Sequence, residues 1–188
     1  MSRMSLREAL TWLLGTVLVA SIVHITSVFL LPALAQMDSY SRLAPLLDGD
    51  GFRVLPAATP DAETLPFTDP GTVLAVCRYD LARGPWRVRI AIDSEALTSL
   101  SFRSRTGTVF HVLTDRAALR GKLDVLLGTV AQIDAAEAAD SDDSPTREVR
   151  LVAPTTTGMV FVRAMPPSAG GMETLRRRLS AADCRTAI

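Results

Sequence analysis

From Ala9 to Ala35 the chain runs 27 residues without a formal charge, and Leu10 to Leu31 within it is almost wholly apolar. At about 1.5 Å of rise per residue, a helix of that length crosses the roughly 30 Å hydrocarbon layer of a bilayer. A helix is required, because a lone span in hydrocarbon must satisfy its own backbone. Arg3 and Arg7 precede the stretch, and Asp38 is the first charge after it. The positive-inside bias therefore leaves residues 1–9 in the cytoplasm and carries the chain beyond the span, residues 10–34, across a bacterial-type inner membrane into the periplasm. Trp12, near the cytoplasmic interface, fits this orientation by burying its ring while its N–H stays wet.

A cleaved signal peptide is the competing reading, since Ala33-Leu34-Ala35 before Gln36 has the small-x-small pattern a signal peptidase needs. Signal-peptide apolar cores run about 7–15 residues. This one is longer, so a retained signal anchor is expected, and either reading exports the rest. His24 lies inside the span beside Ser21, Thr26 and Ser27. An intramembrane imidazole there is either a contact for another helix or a tolerated polar residue of a single-pass helix.

Gln36 to Ile188 is 153 residues, the size of one domain with one core. Without Arg3, Arg7 and Glu8 the chain has 18 basic and 19 acidic residues, so no broad positive field exists to attract nucleic acid. Residues 35–70 carry Pro45, Pro56, Pro60, Pro66 and Pro70, which break helices and central strands, and read as a linker and lead-in. Within them Asp48-Gly49-Asp50-Gly51 reads as a turn, because it lacks the spacing of a calcium loop.

Residues 71–188 change to short apolar runs with two-residue alternation, the signal of half-buried strands. Thr72–Arg78 is one run, and Gly84-Pro85 turns the chain into Trp86–Ile92, where Trp86, Val88, Ile90 and Ile92 share a face and Arg87 and Arg89 take the other. Thr98, Leu100 and Phe102 alternate again, and a turn around Gly107 leads to Val109–Leu113 as a hairpin. Thr114 or Asp115 is placed to cap a short helix ending at Gly121. Leu123–Val130, Glu148–Ala153 and Met159–Arg163 complete about six strands, with Thr155–Gly158 turning between the last two. Asp134 to Pro145, with Asp134, Glu137, Asp140, Asp142 and Asp143, reads as a solvated loop. Near the C-terminus Met172, Leu175, Leu179 and Ala182 lie on one helical face, with Arg176, Arg177 and Arg178 largely off it. The expected fold is mainly β: one transmembrane helix, then a β-sandwich capped by an amphipathic C-terminal helix.

Motifs of known chemistry are missing from the sequence. His111 is the one histidine after the span, and no serine-hydrolase elbow, phosphate-binding glycine loop or paired-histidine zinc motif occurs. No catalytic residue, metal or cofactor is expected from the residues themselves. Cys77 and Cys184 are the two cysteines, and both fall in the exported part, where a disulfide between them is the natural reading and two free thiols the alternative. The most chemically capable cluster is Arg78, Tyr79 and Asp80, where alternation sends Arg78 and Asp80 to one face and Tyr79 to the other. An Arg78–Asp80 edge pair with Tyr79 packed is the simpler reading of the same residues.

Phe67-Thr68-Asp69-Pro70, Cys77-Arg78-Tyr79-Asp80-Leu81, Gly84-Pro85, Ser99-Leu100-Ser101-Phe102, Gly107, Ala153-Pro154 and Gly158-Met159-Val160-Phe161-Val162-Arg163 occur in that order. Together with Val23-His24-Ile25 in the span, the series resembles short membrane proteins of the domain-of-unknown-function 1254 family (DUF1254). Longer relatives join such a β domain to a second one, of the family numbered 1214 (DUF1214), which this chain lacks. The resemblance implies a β-sandwich and, as with split genes, a partner in a separate exported chain of the DUF1214 type. It transfers no catalytic residue. The function expected is that of a tethered, non-enzymatic interaction module. Half of an enzyme completed by that partner, and a module lodging a small apolar ligand, are the alternatives.

Overall fold

Ser5 and Glu8 open the first helix reciprocally: the Ser5 N–H donates to Glu8 Oε2 at 2.9 Å and the Glu8 N–H to Ser5 Oγ at 3.3 Å. This Ser-x-x-Glu box starts α1 (Leu6–Leu34) four residues before the span read from hydropathy alone. Residues Leu6–Leu31 are long and apolar enough to cross a membrane, and none of that stretch is buried against protein. The hydroxyls of Thr11, Thr16 and Ser21 donate to the carbonyls of Arg7, Trp12 and Val17, one turn back, which hides their polarity. The computed structural model describes residues 5–34, 39–47, 49–57, 59, 65, 68–140 and 147–187, in two units, residues 1–37 and 38–188.

The second unit is a two-layer β-sandwich with helices at its margins. Its elements are α2 (Ser39–Leu43), β1 (Arg53–Val54), β2 (Val73–Asp80), β3 (Trp86–Ala91), β4 (Leu97–Ser104), β5 (Val109–Thr114), β6 (Lys122–Gly128), α3 (Val130–Ala138), β7 (Val149–Val152), β8 (Thr157–Met165), α4 (Met172–Ser180) and β9 (Asp183–Thr186). The larger sheet runs β1-β2-β8-β4-β5 and the smaller β7-β6-β3-β9. Alternation governs the facing sides: Trp86, Val88 and Ile90 of β3 point inward with Leu100 and Phe102 of β4, while Arg87 and Arg89 point out. The β4–β5 hairpin closes at Gly107, whose φ of 85° suits glycine and whose N–H donates to the Ser104 carbonyl.

β2 and β8 break the alternation, because both of their faces are covered. Leu74 and Val76 of β2 and Met159 and Phe161 of β8 face away from the smaller sheet, yet are buried under Leu43, Leu47 and Leu55. The segment read from its prolines as a linker is thus partly a lid on the larger sheet, and the folded unit begins well before residue 71. Arg53 and Val54 pair with Val76 and Ala75, and the Gly51 N–H donates to the Cys184 carbonyl at 2.7 Å. Gly49 and Gly51 make the expected turn with φ of 93° and 103°; Asp48 lies outside the described residues.

Three further departures have local causes. Val130–Ala138 is a helix where Asp134 onward read as a loop, because Thr129 and Gln132 form a capping box. The acidic residues then lie on the exposed side of α3, Ile133 anchors it, and β6-α3-β7 is a parallel crossover in an otherwise antiparallel sandwich. Asp142 and Asp143 lie outside the described residues. The helix expected to end at Gly121 is one 3₁₀ turn, Asp115–Ala117, since Arg120 and Gly121, with φ of 53° and 73°, fold the chain tightly between Leu119 and Lys122. Nine strands stand among the described residues where about six were expected, the last being β9, which follows α4 and pairs with β3.

Candidate functional site

Tyr79 is completely buried, and its O–H donates to the Arg103 carbonyl at 3.2 Å. To reach β4 it crosses β8 at Gly158, which lies opposite Tyr79 in register and has no side chain to block the ring. Burial pushes the Tyr79 phenol above its ordinary pKa, against the opposing hydrogen bond with Thr155. Arg78 is exposed and Asp80 half-buried on the opposite face of β2, as alternation requires. They make no ion pair with each other; Asp80 instead caps the following 3₁₀ turn by accepting the Ala82 N–H at 3.0 Å. The three residues singled out together are therefore split between the core and the outer face. Tyr79 serves packing.

Cys77 and Cys184 are joined by a disulfide, with their Cα atoms 6.5 Å apart, and tie β2 of the larger sheet to β9 of the smaller. The Trp86 indole N–H donates to Cys184 Sγ at 3.2 Å, so the bulkiest ring of the core is held against the bridge. α4 packs Leu175 and Leu179 beside these residues, and its arginines serve separate ends: Arg176 donates to the Leu55 carbonyl and Arg178 to Asp93.

The two outer faces differ in electrostatics. On the smaller sheet Glu148, buried at its carboxylate, receives both Arg87 and Arg150, while Asp124 receives Arg89 at 2.8 Å. Arg150 also grips Asp140 through two bonds of 2.7 and 2.8 Å. That carboxylate, foremost, holds its guanidinium above the ordinary value, so it is permanently charged. An open hollow of about 690 Å³ beside α3 is lined by Arg87, Asp124, Asp140, Arg147, Glu148 and Arg150, with the two signs interleaved.

On the larger sheet the described residues of the lid cover the β2–β8 side. Beyond it Ser99, Ser101, Arg103, Val112 and Arg163 share the outer face of β8, β4 and β5, half-buried or exposed among the described residues. The Arg103 guanidinium lies 4.7 Å from the Phe161 ring centroid, its Nε buried without a hydrogen-bond partner. Burial first, and then the charge of Arg163, pushes it below its ordinary pKa. Arg105 stacks on Tyr40 at 4.0 Å, which joins the lid to the rim of this face.

His111 on β5 is half-buried with its ring 6.4 Å from that of Phe102, and among the described residues no acid or nucleophile is bonded to it. His24 is exposed on α1. Among the described residues no three histidines, cysteines or carboxylates come together as a metal site. The charge pattern of the two faces, rather than a catalytic constellation, is what the arrangement offers for recognition. Sequence reasoning did not single out Arg103, and it took in Arg163 only as the end of the Gly158–Arg163 stretch; that both lack an acid among the described residues is visible only in the fold.

No known family profile matches the chain. No curated protein is similar to it in sequence. Among solved structures it is similar to the VPA0106 protein of Vibrio parahaemolyticus, with a TM-score of 0.49 and 13% identity over 64% of this chain and 29% of that one. It is also similar to an uncharacterized protein of Burkholderia cenocepacia, with a TM-score of 0.44 and 17% identity over 78% of this chain and 37% of that one. The chain thus spans about a third of the length of these proteins.

Proposed function

We propose that the chain is a membrane-anchored envelope protein, its N-terminus in the cytoplasm and its sandwich in the periplasm, which acts as a non-enzymatic interaction module for a separate exported β domain. The observation that carries this is the free edge of the larger sheet. Among the described residues β5 is paired only with β4; it runs six residues and exposes Val109 and Val112. An edge of that length and apolarity invites pairing with another chain unless something covers it. The apolar helix at the N-terminus supports the anchoring, and the Cys77–Cys184 bridge supports an oxidising compartment. The resemblance to the DUF1254 family, whose longer members carry a second β domain of the DUF1214 type, supports such a partner.

Gentle detergent extraction of the full chain from its native host, followed by native mass measurement and crosslinking in intact cells, tests the reading. A second β-rich chain in fixed stoichiometry is expected. A folded, monodisperse preparation with no crosslinked heteromer in cells would overturn it, as would a mature, soluble protein beginning at Gln36 for the anchor.

A further inference from the structure

Each arginine within the strands of the smaller sheet's outer face has an acid: Arg87 and Arg150 share Glu148, Arg89 has Asp124, and Arg185 has Asp183, with Arg147 left unpaired among the described residues at the rim just before β7. The outer face of the larger sheet is the reverse. Among the described residues Arg78, Arg103 and Arg163 form no ion pair there, and Arg103 keeps a buried Nε with no acceptor. A half-buried guanidinium without a counter-charge is unfavourable, and the ring of Phe161 offsets that only in part. Apolar surface lies beside the unmatched charge. Leu97 and Met165, partners in the β4–β8 register, are 67% and 42% exposed. They flank a shallow hollow of about 310 Å³ that also takes in Ser99, Asp115 and Arg163.

We infer that this half of the larger sheet, centred on Arg103 and Arg163, docks an acidic, partly apolar segment of a separate protein chain, whose carboxylates meet the two guanidiniums and whose apolar side chain enters the Leu97–Met165 hollow. The inference rests on the pairing reading above and names its surface. Charge complementarity chooses the occupant: a second copy docked face to face would set arginine against arginine, which costs rather than stabilises. Among the described residues the apolar lid over β2 and β8 reaches Met159 and Phe161, and Arg103 and Arg163 lie along its edge.

A photo-crosslinking phenylalanine analogue at Ser99 or Val112 of the full chain, in membranes of its native host, reads the surface directly. The same analogue at Val130, exposed at the start of α3 after β6, reads a position off this surface. One heteromer is expected from Ser99 and Val112 and none from Val130, with mass spectrometry mapping the link to a carboxylate-bearing segment. Arg163→Ser, a change at an exposed side chain that leaves the thermal midpoint in place, is expected to cut the yield about fivefold or more. Links to lipid or to another copy, links to a segment without carboxylates, or an unchanged yield from Arg163→Ser would overturn the inference. A heteromer from Val130 alone would overturn it while leaving the pairing reading standing. Absence of any heteromer from all three positions would remove both.

Discussion

The Tyr79 hydroxyl donates to the Arg103 carbonyl at 3.2 Å across the width of β8, so one side chain binds the second and fourth strands of the larger sheet. Tyr79→Phe keeps the packing and removes the bond, for a loss of about 1 kcal/mol in denaturant unfolding. The alkaline limb gives a second reading. The phenol is raised in the folded protein, so its contribution is whole below the ordinary tyrosine value near 10 and is lost as pH rises through the raised one. Stability should fall above roughly pH 10 in the parent and fall less steeply in Tyr79→Phe. Parallel curves would show that Tyr79 does not titrate on folding.

Gly158 permits that crossing. A Cβ there would collide with both the Tyr79 hydroxyl and the Arg103 carbonyl, and the carbonyl belongs to sheet backbone that cannot swing aside. Gly158→Ala should cost about 3 kcal/mol, the upper part of the overpacking range, and show as a lowered thermal midpoint. Combining it with Tyr79→Phe should recover little, because the Arg103 carbonyl remains in the way. A neutral Gly158→Ala would mean that β8 shifts freely, contrary to its place in mid-sheet.

The Cys77–Cys184 bridge closes a loop of 107 residues. In the chain-entropy account a loop of that size contributes roughly 4–5 kcal/mol, and measured native disulfides give about 2–5. Cys77→Ala with Cys184→Ala should lower stability within that range. Trp86 fluorescence should change with it, since its indole loses the sulfur acceptor. Recovery of both thiols free in freshly alkylated protein would contradict the bridge.

Glu148 accepts from two arginines while its own side chain is 8% exposed. Glu148→Ala leaves Arg87 without its nearest acid and Arg150 with Asp140 alone, and should cost about 1–3 kcal/mol, reduced from a fully buried pair because Arg87 retains solvent contact. Raising salt should narrow the gap between parent and variant only slightly, because the network is mostly shielded. A difference abolished by moderate salt would place the network in open solvent.

What the chain declares locally, it declares clearly. The charge-free run of α1, the period-two pattern of Trp86–Ile90 and Thr98–Phe102, and the glycine of the Ser104–Thr108 turn settle elements from neighbouring residues alone, because helix and strand geometry fix which positions share a face. The Thr129–Gln132 box was legible in the same way, but the apolar run before it drew the reading toward a strand. Tertiary structure decided the rest. That Leu43 and Leu47 would cover Leu74 and Phe161, that β9 would return to β3, and that Tyr79 would reach Arg103 depend on register between segments tens of residues apart. Periodicity carries no information about which strand a face will meet. The same holds for the arginines: Arg87 and Arg103 look alike in sequence, and only the fold supplies Glu148 to the first and leaves the second, over Phe161, without an acid.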